Sequence, residues 1–477
     1  MRSTTTEQIP RRHCAEVAII GFGMVGAVLA RELVDAGTEV LVADSGSAIA
    51  TPAGTHLRNV PACRADRVYY HELVRAALRP ASVPRPKTGL PGHSAPSMPD
   101  GLGVNSAQSA PRNLSAARVT NALGGMGVLW NCVAPRLHAE IEHWPGIRPD
   151  EWEPLYARAE QLLGVGLPAS GGRQDHVLAA LAEFGARPSP IARPAGRWTG
   201  PAEVISPAAL AADLAVQRLV HRGGRVVAAE AVALDTGERV TIEADVFVVA
   251  TGGLRTPALL WASGIHADDT SALGRYLSDH PITHAQVVLD HDAEEAGADP
   301  FVIIPIGHDR PFHALALCGD YPAERLEGRI DDRLILSLYW YSLSRQRRDN
   351  RITFTRAATD ATGLPQPTFS YRTDETDREV GSAALADLVR AAERLGAFLP
   401  GSGPRVLAPG SSMHVMGTTR MGVADDGDSV TDTHGLVWGF DNLYLGGTGL
   451  IPSATATNPT LAACALAVRT AGRVRQS

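Results

Sequence analysis

The stretch Ala15-Glu-Val-Ala-Ile-Ile20-Gly21-Phe22-Gly23-Met24-Val25-Gly26, with the apolar-periodic run to Gly37 and then Thr38-Glu-Val-Leu-Val-Ala-Asp44, decides the fold. Val17 to Ile20 is a continuous apolar segment of the kind that forms a buried parallel strand, and Val28, Leu29, Leu33 and Ala36 recur at helical spacing. Gly21, Gly23 and Gly26 therefore fall on a strand-to-helix turn. The first permits the turn, the second lets a pyrophosphate approach the backbone, and the third lets helix and strand pack closely. Gly37 closes the helix, Val40 to Ala43 is the next strand, and Asp44 stands where a carboxylate accepts from a ribose hydroxyl. The reading is a dinucleotide site, and the motif alone does not choose between NAD and FAD.

The chain has 477 residues, 44% of them hydrophobic, enough for two or more cores. A net charge of −7 and the lack of a long basic run argue against a nucleic-acid partner. Cys14, Cys63, Cys132, Cys318 and Cys464 are scattered, odd in number and free of CxxC spacing, which predicts no metal and a reducing, cytoplasmic setting. Residues 1–14 read as a disordered tail; Arg11-Arg12 is not followed by the unbroken apolar stretch of a signal. No run of about 18 apolar residues predicts a membrane span.

Further along, helices are predicted from Tyr69 to Leu78 and over residues 149–164, 206–221 and 374–396, with a last one from about Pro459 to Ala471. Residues 224–235 and 239–250 are β-prone. Alternating apolar runs near 284–289, 301–306, 313–318, 333–341 and 351–356 predict a mostly antiparallel sheet. Tyr339-Trp340-Tyr341 lies on one of these runs, where alternation sends neighbours to opposite faces; core packing and sugar stacking both suit it. The segment 80–112 is crowded with Pro, Gly and Ser and is too long for an ordinary connection, which predicts a lid over a substrate entrance.

Five further stretches carry the rest of the argument. Gly124-Gly125-Met126-Gly127 suits a backbone passing close to a flat ligand, and Ala250-Thr251-Gly252 ends an apolar strand as in FAD-binding two-dinucleotide-fold proteins. Near the end come His414-Val-Met-Gly-Thr-Thr, then Gly446-Gly447-Thr448, then Asn458-Pro459-Thr460. With Asp279-His280-Pro281, these motifs, in this order, make the chain resemble the glucose–methanol–choline (GMC) family of FAD oxidoreductases, and within it the pyranose oxidase and glycoside 3-oxidase branch.

That resemblance implies an α/β protein. A Rossmann-like FAD-binding domain of the two-dinucleotide-binding-fold type would span 15–283 and 405–477, with an inserted, mostly antiparallel-sheet substrate domain at 284–404. It implies FAD held at Gly21, Gly23, Gly26, Asp44, Gly124, Gly125, Ala250, Thr251, Gly252, Gly447, Asn458 and Thr460. His414 matches the family's catalytic histidine and Asn458 its partner, with the hydride passing to flavin N5. Chemically, an alcohol yields hydride easily only as its alkoxide develops, so a base titrating near neutrality is expected at His414. Asn458 would hold the same hydroxyl; an N-cap of the last helix is the rival role. In the segment where pyranose oxidases attach FAD to a histidine, this chain has Leu129, so the flavin is expected to be non-covalent. His56, His71, His138, His284 and His434 match no motif and are read as structural or surface residues.

The resemblance implies a sugar or glycoside substrate, with O2 or a quinone-type molecule as electron acceptor. Two other readings stand beside it: a GMC enzyme acting on an aminoglycoside or other alcohol, and a flavin-binding protein without turnover.

Overall fold

The computed structural model describes residues 11–83, 103–108, 113–142, 144, 146–206, 209–289, 299–318 and 334–477. Its first sheet is built on β1 (Arg11–Ile20), which lies parallel to β2 (Val40–Ala43) with Ala18 opposite Leu41. Beyond β2 is the short strand Leu210–Ala211. Three more strands continue the sheet on the other side: β3 (Leu214–Arg222), β4 (Arg225–Ala233) and β5 (Arg239–Val249). β5 is long enough to serve three neighbours. It pairs with β1 in parallel along its length, with β4 through Arg239–Ile242, and with Leu443–Leu445 through Phe247–Val249. The apolar run Val17–Ile20 is buried because both of its faces are covered.

Two sequence expectations change here. Residues 11–14 are not tail: they pair with Val240–Glu243, because β5 extends that far and offers its backbone groups to them. Of the helix expected at 206–221, the described residues 209–221 are not helical. Their Ala and Leu content favours helix, but Leu214–Arg222 pairs with Arg225–Ala233, and tertiary pairing overrides so weak a preference. The turn between them is Gly223-Gly224, both left-handed (φ +57° and +76°). That is the signature of a two-residue hairpin and was the legible signal.

The helices fall close to expectation. α1 (Met24–Asp35) follows the glycine turn, and α2 (Pro149–Leu163) ends on Gly164 in the left-handed region. α3 (Gly252–Ala262), which is not among the expected helices, follows β5 directly. Among the buried side chains of this unit, Ile19, Leu29, Leu33 and Phe247 are fully enclosed, each contributing about 1.5–3 kcal/mol relative to exposure.

The second sheet is antiparallel at every pairing. It holds β6 (Ile282–Leu289), β7 (Phe301–Ile304), β8 (Phe312–Cys318) and β9 (Ile335–Ser342), in the order β6-β9-β8-β7. Arg187–Pro188, from far earlier in the chain, pairs with β7, and Gly396–Phe398 and Arg405–Val406 pair with β6. The predicted run 351–356 is not in this sheet: Arg351–Thr353 pairs with Thr368–Ser370 in a separate ribbon. α4 (Glu375–Glu393) lies on one face, with Leu388 and Ala391 packed in a core with Val287, Leu338 and Trp340. α5 (Thr460–Val474) is the last helix.

Alternation along β9 settles the aromatic triplet. Trp340 is fully buried in that core and donates its indole N–H to Asp387 at 2.8 Å. Tyr339 and Tyr341 point the other way, against His284 (4.8 Å between ring centroids) and His280 (5.9 Å).

The expected lid, 80–112, lies mostly outside the described residues. Its described parts dock on one stretch: Val83 N–H donates to Gln366, Asn105 donates to Thr368 Oγ1, and Gln108 accepts from the N–H of Phe369.

Candidate active site

A cavity of about 270 Å³ runs between the glycine turn and the His414 segment. Its lining includes Gly21, Gly23, Asp44, Gly125, Ala250, Thr251, Gly252, His414, Gly447 and Thr460, so ten sequence-predicted positions converge. Gly26 and Gly124 stand behind the wall. A Cβ on Gly26 would drive into the Gly21 carbonyl, and one on Gly124 would press on Val128, Gly54 and Pro201. Gly23 differs from both: nothing lies within 4 Å of the Cβ it lacks, so its open side belongs to whatever enters.

The electrostatics suit a diphosphate. α1 begins on Gly23 with no side-chain cap and no acidic residue in its first turn, leaving its leading N–H groups unclaimed by side chains. Asp44 accepts the N–H of Phe22 on one oxygen (2.6 Å) and that of Gly46 on the other (2.7 Å). Burial raises its pKa, and these two N–H groups oppose the rise. Each oxygen keeps a lone pair for a ribose hydroxyl. A cradle of missing Cβ atoms, an uncapped helix start and an acceptor at its far end fit FAD.

Sequence reasoning missed part of this wall. Leu214, Ala215 and Val216 line it, hidden by the expectation of a helix there. Arg255 lines it too, held by the Thr120 carbonyl (2.9 Å) and by Asp360 (3.3 Å). Leu129 is not among the lining residues; it packs against Leu57, Cys63 and Tyr70.

His414 is placed by Asp279. One carboxylate oxygen accepts the His414 N–H at 3.0 Å and the Ser412 hydroxyl, and the other accepts the Gly410 N–H at 3.1 Å. These bonds hold Met413 in the left-handed region (φ +58°), which costs a non-glycine residue about 1–2 kcal/mol. Burial of Asp279 pushes its pKa up to about 6 against the pull of these donors. The sequence pointed to the Asp279-His280-Pro281 motif but not to what it holds.

Four aromatic rings meet here. The His414 ring lies 5.1 Å from that of His280 and 5.7 Å from that of Tyr341, and His313 lies 6.2 Å from Tyr341. His414 Nδ1 contacts His280 Nδ1 at 3.2 Å. Burial lowers the His414 pKa to about 4, and that of His313 to about 3. The expected base near neutrality thus titrates lower, because protein replaces water around it.

Asn458 is buried, and its Oδ1 has no hydrogen-bond partner. The rival role falls away, since α5 is capped at Pro459 with no side-chain bond. The Asn458 carboxamide faces His313, whose pKa it raises against burial, although no hydrogen bond of good geometry joins them. The loop before it is fixed by Glu142, which accepts the N–H groups of Ala456 (2.7 Å) and Thr457 (2.9 Å). A buried polar atom left unpaired in a native fold needs an explanation.

Of the histidines given no role, His56 is fully buried and contacts the Trp130 carbonyl at 2.8 Å, and His434 contacts Arg469 at 3.2 Å. His284 is also buried, beside Tyr339.

Comparison with known proteins agrees with this geometry. A pyranose 2-oxidase from Tricholoma matsutake is 30% identical, over 98% of this chain and 95% of its own. Two sequence models described as GMC oxidoreductase match residues 201–282 and 346–467. The chain belongs to the GMC oxidoreductase family. This GMC oxidoreductase is also 30% identical to a C-glycoside 3-oxidase from Arthrobacter globiformis, over 97% of this chain and 95% of that one. Its fold matches the solved pyridoxine 4-oxidase from Mesorbium loti with a TM-score of 0.69, at 18% identity, over 97% of this chain and 99% of that one. It is therefore an oxidoreductase acting on CH–OH groups, with FAD as its cofactor. Among the described residues no helix is long and apolar enough to cross a membrane, and no disulfide links any of the five cysteines.

Proposed function

We propose that this protein oxidises a secondary hydroxyl of a sugar or glycoside to the ketone, with O2 or a quinone-type acceptor taking the electrons afterwards. The observation that carries the reading is His414 at the cavity wall. Asn458 does not line the cavity itself, but its unpaired carboxamide oxygen lies beside His313 and one residue before the lining Pro459, which supports it. The names of the relatives, a pyranose 2-oxidase and a C-glycoside 3-oxidase, support the substrate class.

Bound FAD supplies the hydride acceptor. His414 takes the hydroxyl proton as hydride leaves the same carbon, so the alcohol loses two electrons and two hydrogens in total. The low pKa of His414 keeps it unprotonated, and so able to accept, throughout the neutral range. Asn458 orients the hydroxyl without competing for its proton, since an amide neither gains nor loses one here. The glycine turn, Asp44 and Thr460 hold FAD without a covalent bond. In this reading 15–283 and 405–477 carry the cofactor and 284–404 the substrate, in a cytoplasmic protein.

A panel of free sugars, O- and C-glycosides, aminoglycosides and simple alcohols, assayed for anaerobic flavin reduction, H2O2 release and dye reduction, tests the reading. His414→Ala should keep FAD and reduce it at least ~10²-fold more slowly. Wild-type rates in that variant, or flavin reduced only by simple alcohols, would overturn it.

A further inference from the structure

His280 was legible only as part of a motif. In the structure it lies at the centre of a hydrogen-bonded chain that ends on the candidate base. Its ring is buried, 3% exposed, with one nitrogen on each side engaged: Nδ1 meets His414 Nδ1 at 3.2 Å, and Nε2 meets Thr455 Oγ1 at 3.1 Å. Thr455 Oγ1 in turn lies 3.4 Å from Met416 Sδ.

The protons can be placed by counting. A thioether sulfur accepts and never donates, so the Thr455–Met416 contact needs the single hydroxyl proton of Thr455. Thr455 must then accept from His280, which puts a proton on His280 Nε2. His280 is neutral, because burial and the neighbouring His414 and His313 disfavour its charge by more than the bond to Thr455 favours it, so with the proton on Nε2 its Nδ1 carries a lone pair. The contact between the two Nδ1 atoms is then satisfied only by a proton on His414. Three contacts are filled by three protons. The opposite arrangement, with Thr455 donating to His280 and His280 to His414, fills two and leaves the sulfur facing an oxygen lone pair.

We propose that His280 is a positioning residue for the oxidation: it fixes His414 as the Nδ1–H tautomer, leaving His414 Nε2 unprotonated for the substrate hydroxyl. This rests on His414 being the base. When the hydroxyl proton arrives, a new N–H bond forms at Nε2 and nothing breaks at Nδ1. The Nδ1–H to His280 bond becomes charge-assisted and stronger at the moment positive charge develops. The carboxylate next to His280 in the chain, Asp279, does not take this role, since its oxygens are occupied by Gly410, Ser412 and the His414 backbone. A neutral acceptor holds the ring without raising its pKa as a carboxylate would. Outer partners that orient a metal-bound imidazole are typically worth about 10- to 100-fold, and an effect on that scale is expected here.

The test has two arms. Long-range nitrogen–proton correlation spectra of the 15N-histidine-labelled protein, with and without FAD, report each tautomer directly; His414→Ala and His280→Asn identify the signals. The expected result is a proton on Nδ1 of His414 and on Nε2 of His280. A proton on His414 Nε2 overturns the inference. In the second arm, His280→Leu should slow flavin reduction by about tenfold or more at saturating substrate with KM little changed. His280→Asn, whose carboxamide oxygen falls near the lost Nδ1, should recover most of that loss. Equal rates in wild type and His280→Leu, with His414→Ala still slowed at least ~10²-fold, would remove His280 from the mechanism and leave the base assignment standing. Wild-type rates in His414→Ala would instead remove the base. If His280→Leu does not fold, the wild-type spectra decide.

Discussion

The Asp279 carboxylate accepts the backbone N–H of His414 at 3.0 Å, so the candidate base is held by a residue 135 positions earlier in the chain. The same carboxylate gathers Gly410 and Ser412, closing a loop around the left-handed Met413. Asp279→Asn keeps the shape but turns one acceptor into an NH2 group facing a donor. Leaving such a buried group unsatisfied costs about 1–3 kcal/mol. The variant is expected to melt at lower temperature and to reduce its flavin about tenfold more slowly, since 1.4 kcal/mol of lost alignment is a factor of ten. Thermal melts and anaerobic stopped-flow traces check this; unchanged values in both would show that the His414 loop stands without Asp279.

The pH dependence of flavin reduction follows from burial. With the His414 pKa lowered to about 4, kcat/KM should be level through neutrality and fall only as the pH approaches 4 to 5. The sign is fixed: protonating the ring removes the acceptor, so activity is lost on acidification. A profile with its midpoint at 6.5 would mean that the ring is solvated in the working enzyme.

Stability should also fall with acid, in a definite window. Burial lowers His56 and His313 to about 3, and His284 and His414 to about 4. In the unfolded chain all four protonate near pH 6.5. Below that pH the unfolded state binds protons that the folded state refuses, so stability is full above 6.5 and is lost progressively down to the folded values. Asp279, raised to about 6, and Asp44, also raised by burial, work in the opposite sense, but His280 and His434, lowered by burial as well, join the four histidines against them. Melting temperatures between pH 7.5 and 4.5 should decline monotonically; a flat or rising series contradicts the assignment.

Flavin attachment is a simple test of position 129. Leu129 has no nucleophilic atom and packs on Leu57 and Cys63 rather than lining the cavity. Acid precipitation should leave the yellow colour in the supernatant. Colour retained in the washed pellet would require a covalent link elsewhere.

The sequence alone determined the parts of this protein whose chemistry is local. A strand, a glycine turn, a helix and an acidic residue in register are consecutive, so their joint meaning survives without a third dimension. Gly21, Gly23 and Asp44, read that way, line one cavity, together with seven positions that the later motifs and the family resemblance implied. Tertiary structure decided what depends on contact between distant segments. Leu214–Val216 form a wall because β3 pairs with β4, which outweighs a helical composition. Tyr341 reaches His414 while Trp340, one residue before it, is core, because pleating sends them to opposite faces and only the packed sheet says which face meets the site. His280, Thr455 and Met416 form a chain of side-chain contacts across 175 positions of sequence. Periodicity and motif spacing carry no record of such a chain, since hydrogen bonds depend on distance in space and not on separation along the backbone.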